Sequence, residues 1–87
     1  MVSIQVKVES EGGLHARPAS ILVNKANQFQ SSVKLTKGEK TADGKSILNL
    51  MTLGVKKGEE LLIEIEGPDE QAAAAALKEL FANNFAV

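Results

Sequence analysis

Four short segments of the chain predict strands that can each bury only one face: three alternate apolar with polar residues, and the fourth, at residues 40–42, is short and polar. The clearest is the first, in which every second residue is apolar: Val2, Ile4, Val6 and Val8. The others contain Val33 and Leu35, residues 40–42, and Leu61, Ile63 and Ile65. A period of two is typical of strands with one buried and one solvated face. The chain therefore needs a second layer to cover one face of a sheet.

Three segments with helical periodicity supply that layer. The first covers residues 16–28, and its apolar stripe is Ala19, Leu22, Val23, Ala26 and Phe29. Pro18 lies in the first turn, where a missing N–H breaks no intrahelical bond. The second helix covers residues 47–53, between Ser46 as N-cap and Gly54 as the residue after its end. The third follows Asp69 as its cap, with an apolar stripe of Ala72, Ala73, Ala76, Leu77, Leu80 and Phe81.

The order of these elements is strand, helix, strand, strand, helix, strand, helix. A tight turn at residues 37–39 joins the two middle strands into a hairpin. One-faced strands and one-faced helices predict an α+β, two-layer open-faced sandwich, in which an antiparallel sheet is covered on one face by helices. With 87 residues and no linker or repeat, we expect a single domain, 1–87.

Composition excludes several classes of function. The chain has no cysteine and only one histidine, which leaves too few ligands for a disulfide framework or a zinc site, and we expect neither a metal nor a cofactor. A net charge of −1 and the absence of Trp and Tyr argue against nucleic acid as a direct ligand. No apolar run approaches the roughly 20 residues of a membrane span, so we expect a cytoplasmic protein that does not bind membranes.

The single histidine, His15, directly precedes the first predicted helix. A helix N-terminus offers unpaired N–H groups and a partial positive charge to an anion, and Arg17 adds a guanidinium two residues later. These are the parts that a phosphoryl group carried on an imidazole needs. The alternative is that His15 is a surface loop residue or a weak cap.

The second predicted helix carries two further candidates. Ser46 is its N-cap, and a phosphate on that hydroxyl would also lie favourably at a helix N-terminus while adding negative charge to the surface. A helix of about two turns with five large apolar residues cannot cover them all, so Leu50 and Leu53 are predicted core residues. The remaining three, Ile47, Leu48 and Met51, are either core as well or an apolar docking patch.

Two sequence segments carry a family resemblance. Residues 13–20, Gly-Leu-His-Ala-Arg-Pro-Ala-Ser, resemble the active-site motif of HPr, the histidine-containing phosphocarrier of the bacterial sugar phosphotransferase system. Residues 45–47 and 50–54 resemble that family's second signature at the expected distance. The resemblance covers essentially the whole chain. It implies a four-stranded antiparallel sheet with three helices.

The resemblance also implies a function. His15 would accept a phosphoryl group from enzyme I, as a pros-phosphohistidine, and pass it to the A components (enzyme IIA) of sugar-specific enzyme II complexes. Arg17 matches the phosphate-contacting arginine, and the chain would be a carrier and not an enzyme. Partner contacts would come from Ile47, Leu48, Met51 and Ser20.

In some HPr proteins the serine that matches Ser46 is phosphorylated by HPr kinase/phosphorylase, and the product acts with the catabolite control protein. The resemblance makes both proteins candidate partners, and we expect a monomer. Alternatives are a mainly regulatory protein, a member of the nitrogen-related branch, and a binding module in which His15 is incidental. Gly12 and Gly44 depart from the family pattern, and two adjacent glycines before Leu14 are expected to loosen the His15 loop.

Overall fold

The computed structural model describes residues 1–9, 12–14 and 16–85. Within them the predicted order of elements is confirmed: β1 (Val2–Lys7), α1 (Ala16–Ala26), β2 (Ser32–Lys37), β3 (Lys40–Asp43), α2 (Ile47–Leu53), β4 (Glu60–Glu66) and α3 (Glu70–Ala82). The hairpin turn contains Gly38 with a φ of +59°, a left-handed conformation that glycine adopts without steric cost.

The strands form one antiparallel sheet in the order β1-β4-β2-β3. Because β4 pairs with both β1 and β2, those two strands run in the same direction on either side of it, and α1 connects them. The register places Ile4, Ile63, Leu35 and Ala42 in one row across all four strands. This row lies on the face that the helices cover, so the alternation in sequence becomes one continuous core.

The three helices cover that face with the residues that their periodicity predicts, with exceptions in α1 and α3. In α1, Ala19, Leu22 and Ala26 are buried, whereas Val23 and Phe29 are only partly buried against the core. The helix ends at Ala26, two residues before the predicted end, because the N–H groups of Gln28 and Phe29 bond to carbonyls three residues back and tighten the last turn.

The buried face of α3 differs from the prediction. Ala74 is buried with Ala73, Leu77, Leu80 and Phe81, whereas Ala72 is exposed and Ala76 only partly buried. The prediction of Ala72 and Ala76 as core residues was wrong because five consecutive alanines carry no periodicity of their own. The three large side chains set the rotation of the helix, and Ala73 and Ala74 lie one turn before Leu77.

Asp69 occupies the N-cap position of α3, as predicted, but its side chain does not cap the helix. The carboxylate instead accepts hydrogen bonds from the N–H groups of Gln30 and Ser31, at 3.0 and 2.9 Å, and from the buried Ser31 hydroxyl. Glu70 accepts from the N–H of Gly67. The Asp69 carboxylate therefore joins α3 to the start of β2, a role that its sequence position did not indicate.

Candidate functional site

The site is built at the N-terminus of α1. The helix begins at Ala16, Pro18 is buried in its first turn, and that turn contains no acidic residue. Carboxylates are favoured in the first turn of a helix because they balance its positive end, and the first turn of α1 carries the cation Arg17 instead. Such a departure from helix-stabilising chemistry is typical of a functional position. A bound anion would be attracted both by the helix N-terminus and by the Arg17 guanidinium.

His15 itself lies outside the described residues, and the structure describes its two neighbours in the chain, Leu14 and Ala16. On its N-terminal side Leu14 is buried, and its N–H donates to the carbonyl oxygen of Val55 at 3.0 Å. On its C-terminal side Ala16 is already helical. The backbone is thus held in place immediately before and after the histidine.

Gly13 explains how Leu14 comes to lie there. It is buried with a φ of +74°, and a Cβ added to it would collide with the Val55 carbonyl oxygen and lie 2.6 Å from the Cα of Lys56. The absence of a side chain at Gly13 is therefore a packing requirement, because two stretches of backbone touch. At this glycine the structure restrains the chain before His15, where the pair of glycines was expected to loosen it.

Arg17 is exposed. Across the described part of the chain its guanidinium makes no hydrogen bond or ion pair within the protein. A guanidinium has five N–H donors arranged for planar, bidentate recognition of phosphate. Its donors remain available to a ligand at the start of α1.

Ser46 caps α2 as the sequence predicted. Its hydroxyl oxygen accepts from the backbone N–H of Asn49 at 3.3 Å and from the side-chain amide of Asn49 at 3.1 Å. The helix ends at Leu53, and the next residue, Gly54, has a φ of +67°, the left-handed conformation expected after a helix. Ser46 is partly buried, so its hydroxyl reaches the surface while it holds the helix end.

The apolar residues of α2 divide between core and surface. Leu50 and Leu53 are buried, as predicted, whereas Ile47, Leu48 and Met51 are 42%, 73% and 43% exposed. These three residues form an apolar surface, which we call the α2 patch. Because these three side chains are exposed, the alternative that all five apolar residues are core is wrong. α2 packs against α1, the helix that carries Arg17 and the partly buried Ser20.

Two lysines that the sequence analysis did not single out connect α2 and its flanking residues to the rest of the fold. Lys45 donates from Nζ to the Phe29 carbonyl oxygen at 2.8 Å, which anchors the residue before Ser46. Lys37 donates to the Gly54 carbonyl oxygen at 3.0 Å and to the Glu59 carboxylate at 3.3 Å. Both lysines join positions 16 to 22 residues apart, so no local sequence pattern indicates these contacts.

A third contact near Ser46 could have been predicted from the sequence. The Asp43 carboxylate accepts a hydrogen bond from the N–H of Lys45, two residues later, which is the pattern of an Asx turn.

Two further observations bear on other functions. Among residues 1–9, 12–14 and 16–85 no group of three or more His, Cys, Asp or Glu side chains is arranged to hold a metal ion. The same residues include no helix with the length and apolarity needed to pass through a bilayer.

Comparison with known proteins identifies the family. Residues 2–83 match the family model described as the PTS HPr component phosphorylation site. The chain belongs to the HPr family. It is 40% identical over 85 residues to the phosphocarrier protein HPr of Treponema pallidum, across 98% of this chain and 97% of the relative.

Solved structures of the HPr family have the same fold. The crystal structure of HPr-C-His from Thermoanaerobacter tengcongensis matches with a TM-score of 0.94 and 36% identity, over 98% of this chain and 96% of that chain. Crh, the Bacillus subtilis catabolite repression protein, matches with a TM-score of 0.75 and 39% identity, over 100% of this chain and 99% of that one, and its crystal structure is a domain-swapped dimer.

These relatives support the general role. This chain belongs to the HPr phosphocarrier family of the phosphotransferase system, and its relatives named phosphocarrier protein HPr are carriers and not enzymes. The likeness to Crh also connects the family with carbon catabolite regulation.

Proposed function

We propose that this HPr-family chain accepts a phosphoryl group on Nδ1 of His15 from phospho-enzyme I and passes it to enzyme IIA components for sugar uptake. The observation that carries the proposal is the start of α1, where Arg17 has no partner within the described residues and the first turn has no carboxylate. A dianionic phosphoryl group beside this helix end would meet both the guanidinium and free N–H donors.

The chemistry is a pair of in-line exchanges. The lone pair of the His15 nitrogen attacks phosphorus in the phosphohistidine of enzyme I, a new N–P bond forms, and the donor imidazole leaves with the electrons of the broken bond. In the second exchange a nucleophile of enzyme IIA attacks the phosphorus on His15, and the His15 imidazole leaves with the electrons of the broken N–P bond. Because donor and product are both phosphoramidates, stabilisation at α1 must be moderate, since a tight phosphate site would trap the group.

Partner docking is assigned to the α2 patch together with Ser20. Exposed Ile, Leu and Met side chains next to a charged helix start give a surface with an apolar centre and a polar edge. Met side chains adapt to differently shaped partners, which suits one surface used by enzyme I and by several enzyme IIA components.

Regulation at Ser46 is the second part of the proposal. Phosphorylation by HPr kinase/phosphorylase would place about two negative charges at the N-terminal edge of the α2 patch, and the product would bind the catabolite control protein. The likeness to Crh favours a mainly regulatory protein as the alternative function. The presence of His15, with Arg17 two residues later in the sequence, favours the carrier.

The remaining expectations belong to the same proposal. Residues 1–87 would form one domain that works as a monomer in the cytoplasm. One hydrophobic core shared by every helix and by all four strands supports a single domain. Sedimentation at several protein concentrations tests the expected monomer, and a dimer like that of Crh would contradict it.

A two-stage transfer assay tests the function. The chain is mixed with enzyme I and labelled phosphoenolpyruvate, and an enzyme IIA component is added afterwards. We expect acid-labile, base-stable label on the chain and then loss of that label to enzyme IIA. The control is His15→Ala, which should take no label, whereas Ser46→Ala should take label normally. Absence of label, or label that survives in His15→Ala, would reject the carrier function.

A further inference from the structure

The segment that leads to His15 is held at both ends by one loop, residues 54–59. At the start of the segment, the N–H of Val8 donates to the Glu59 carbonyl oxygen at 2.9 Å, and the N–H of Gly58 donates to the Val8 carbonyl oxygen at 2.7 Å. At its end, the N–H of Leu14 donates to the Val55 carbonyl oxygen. The position of Leu14, the residue before His15, is therefore set by residues 54–59, which we call the supporting loop.

The supporting loop is closed by a side-chain bridge between its two ends. Lys37, at the end of β2, donates from Nζ to the carbonyl oxygen of Gly54 at 3.0 Å and to Oε1 of Glu59 at 3.3 Å. The same Oε1 accepts the backbone N–H of Lys56 at 2.6 Å. One ammonium and one carboxylate thus join the first, third and last residues of the loop.

The environment favours this bridge over an ordinary surface ion pair. The Lys37 side chain is only 24% exposed and that of Glu59 is 38% exposed. The Gly54 carbonyl lies just beyond the C-terminus of α2, where the negative end of the helix attracts a cation. Hydrogen bonds from Lys56 and Lys37 lower the pKa of Glu59, in that order of effect, so the carboxylate stays charged near neutral pH.

We propose that Lys37 and Glu59 are positioning residues for phosphoryl transfer at His15, acting through the supporting loop and its hydrogen bond to Leu14. This inference rests on the proposed function. Neither residue needs to touch the phosphoryl group. Their effect is to fix the backbone of Leu14, the residue directly before His15. Misplacement of a reacting atom by about 1 Å can slow a reaction about 100-fold.

The chain offers a matched control, a second lysine–glutamate pair whose lysine also lies on β2. Lys34 of β2 and Glu64 of β4 also form an ion pair, at 3.9 Å, and they face each other in the sheet register. This pair has the same chemistry as Lys37 and Glu59. Within residues 1–9, 12–14 and 16–85, neither Lys34 nor Glu64 forms a side-chain hydrogen bond or ion pair with residues 54–59, so loss of this pair should leave Leu14 in place.

The test compares Lys37→Met and Glu59→Gln with Lys34→Met. Two quantities are measured at a temperature at which circular dichroism shows every variant folded: the rate of phosphoryl transfer from saturating phospho-enzyme I, and hydrogen exchange of the Leu14 amide. We expect a rate about tenfold to 100-fold lower for Lys37→Met, a smaller loss for Glu59→Gln, and faster Leu14 exchange in both. Lys34→Met should change the rate by less than about twofold. Lys37→Arg keeps the cation and should recover most of the rate.

The outcomes separate the inference from the proposed function. If the wild-type chain takes no phosphoryl group, the proposed function fails, and the positioning role fails with it. If the wild type is phosphorylated while Lys37→Met matches Lys34→Met in rate and in Leu14 exchange, only the positioning role is overturned. A lower rate with unchanged Leu14 exchange also overturns it, because the effect would then not pass through the supporting loop.

Discussion

Replacing Gly13 with alanine should destabilise the protein by about 2–5 kcal/mol. Two effects contribute. The φ of +74° costs an L-residue about 1–2 kcal/mol. The new methyl group would also overlap the Val55 carbonyl and approach the Lys56 Cα at 2.6 Å, and because these are backbone atoms the loop must move, at about 1–3 kcal/mol for overpacking.

The matched control is Gly38→Ala. Gly38 has a φ of +59° and nothing within 4 Å of an added Cβ, so it experiences the conformational strain without the collision. We expect it to lose only about 1–2 kcal/mol. Urea unfolding followed by far-ultraviolet circular dichroism gives both values by linear extrapolation. Equal destabilisation by the two substitutions would refute the packing of Gly13 against residues 55 and 56.

Four further substitutions test separate parts of the account. Arg17→Gln should leave stability unchanged or raise it by about 0.3–1 kcal/mol in urea unfolding, because a cation is removed from a helix N-terminus, while onward phosphoryl transfer slows. Ser46→Ala should cost about 1 kcal/mol in the same assay, through loss of the cap on Asn49. Leu48→Ser should change stability by less than about 0.5 kcal/mol, since Leu48 is 73% exposed, but should raise the KM for the chain as substrate of enzyme I. In Asp69→Asn the free energy of unfolding should fall less as the pH is lowered than it does in the wild type.

The sign of the acid effect follows from the hydrogen bonds to Asp69. The Ser31 hydroxyl, followed by the Gln30 N–H, lowers the pKa of Asp69 below its ordinary value of 3.8. A carboxyl group whose pKa is lower in the folded than in the unfolded state stabilises the protein above the unfolded value, and this contribution disappears as pH falls through the folded value. Unfolding free energies between about pH 2 and pH 5 should therefore depend less on pH in Asp69→Asn. Identical pH dependence in both proteins would contradict this assignment.

Three of those substitutions have clear contradicting results. A Ser46→Ala variant as stable as the wild type would show that the hydroxyl does not cap α2. Unchanged onward transfer in Arg17→Gln would show that the guanidinium is not a phosphate partner. For Leu48→Ser, an unchanged KM would remove that side chain from the docking surface.

The features that could be predicted from the sequence are those that depend on local patterns of residues. Alternation marks Leu61, Ile63 and Ile65 as one buried face, and Ser46 and Gly54 delimit α2 by chemistry that acts within one helical turn. The same local chemistry, a histidine and an arginine around a helix start, indicated where the candidate site lies. The family resemblance then supplied the reaction.

Long-range contacts account for what the sequence did not predict. The sheet order β1-β4-β2-β3 depends on pairing between strands far apart in the chain. Asp69 could bond to its own helix or to Ser31, and only the folded structure brings donors 38 residues away within reach. The Lys37–Glu59 bridge and the contact of Gly13 with residues 55 and 56 arise in the same way, from the packing of loops that carry no periodic signal.

The central claim is that His15 carries the phosphoryl group on one ring nitrogen and gives it up again. Nitrogen and phosphorus NMR of the imidazole-labelled chain, recorded with catalytic enzyme I and phosphoenolpyruvate, locates the group directly. The account predicts a phosphoryl group on Nδ1 of His15 that disappears when unphosphorylated enzyme IIA is added. A phosphoryl group on another residue or on Nε2, or one that stays on the ring in the presence of enzyme IIA, would contradict it.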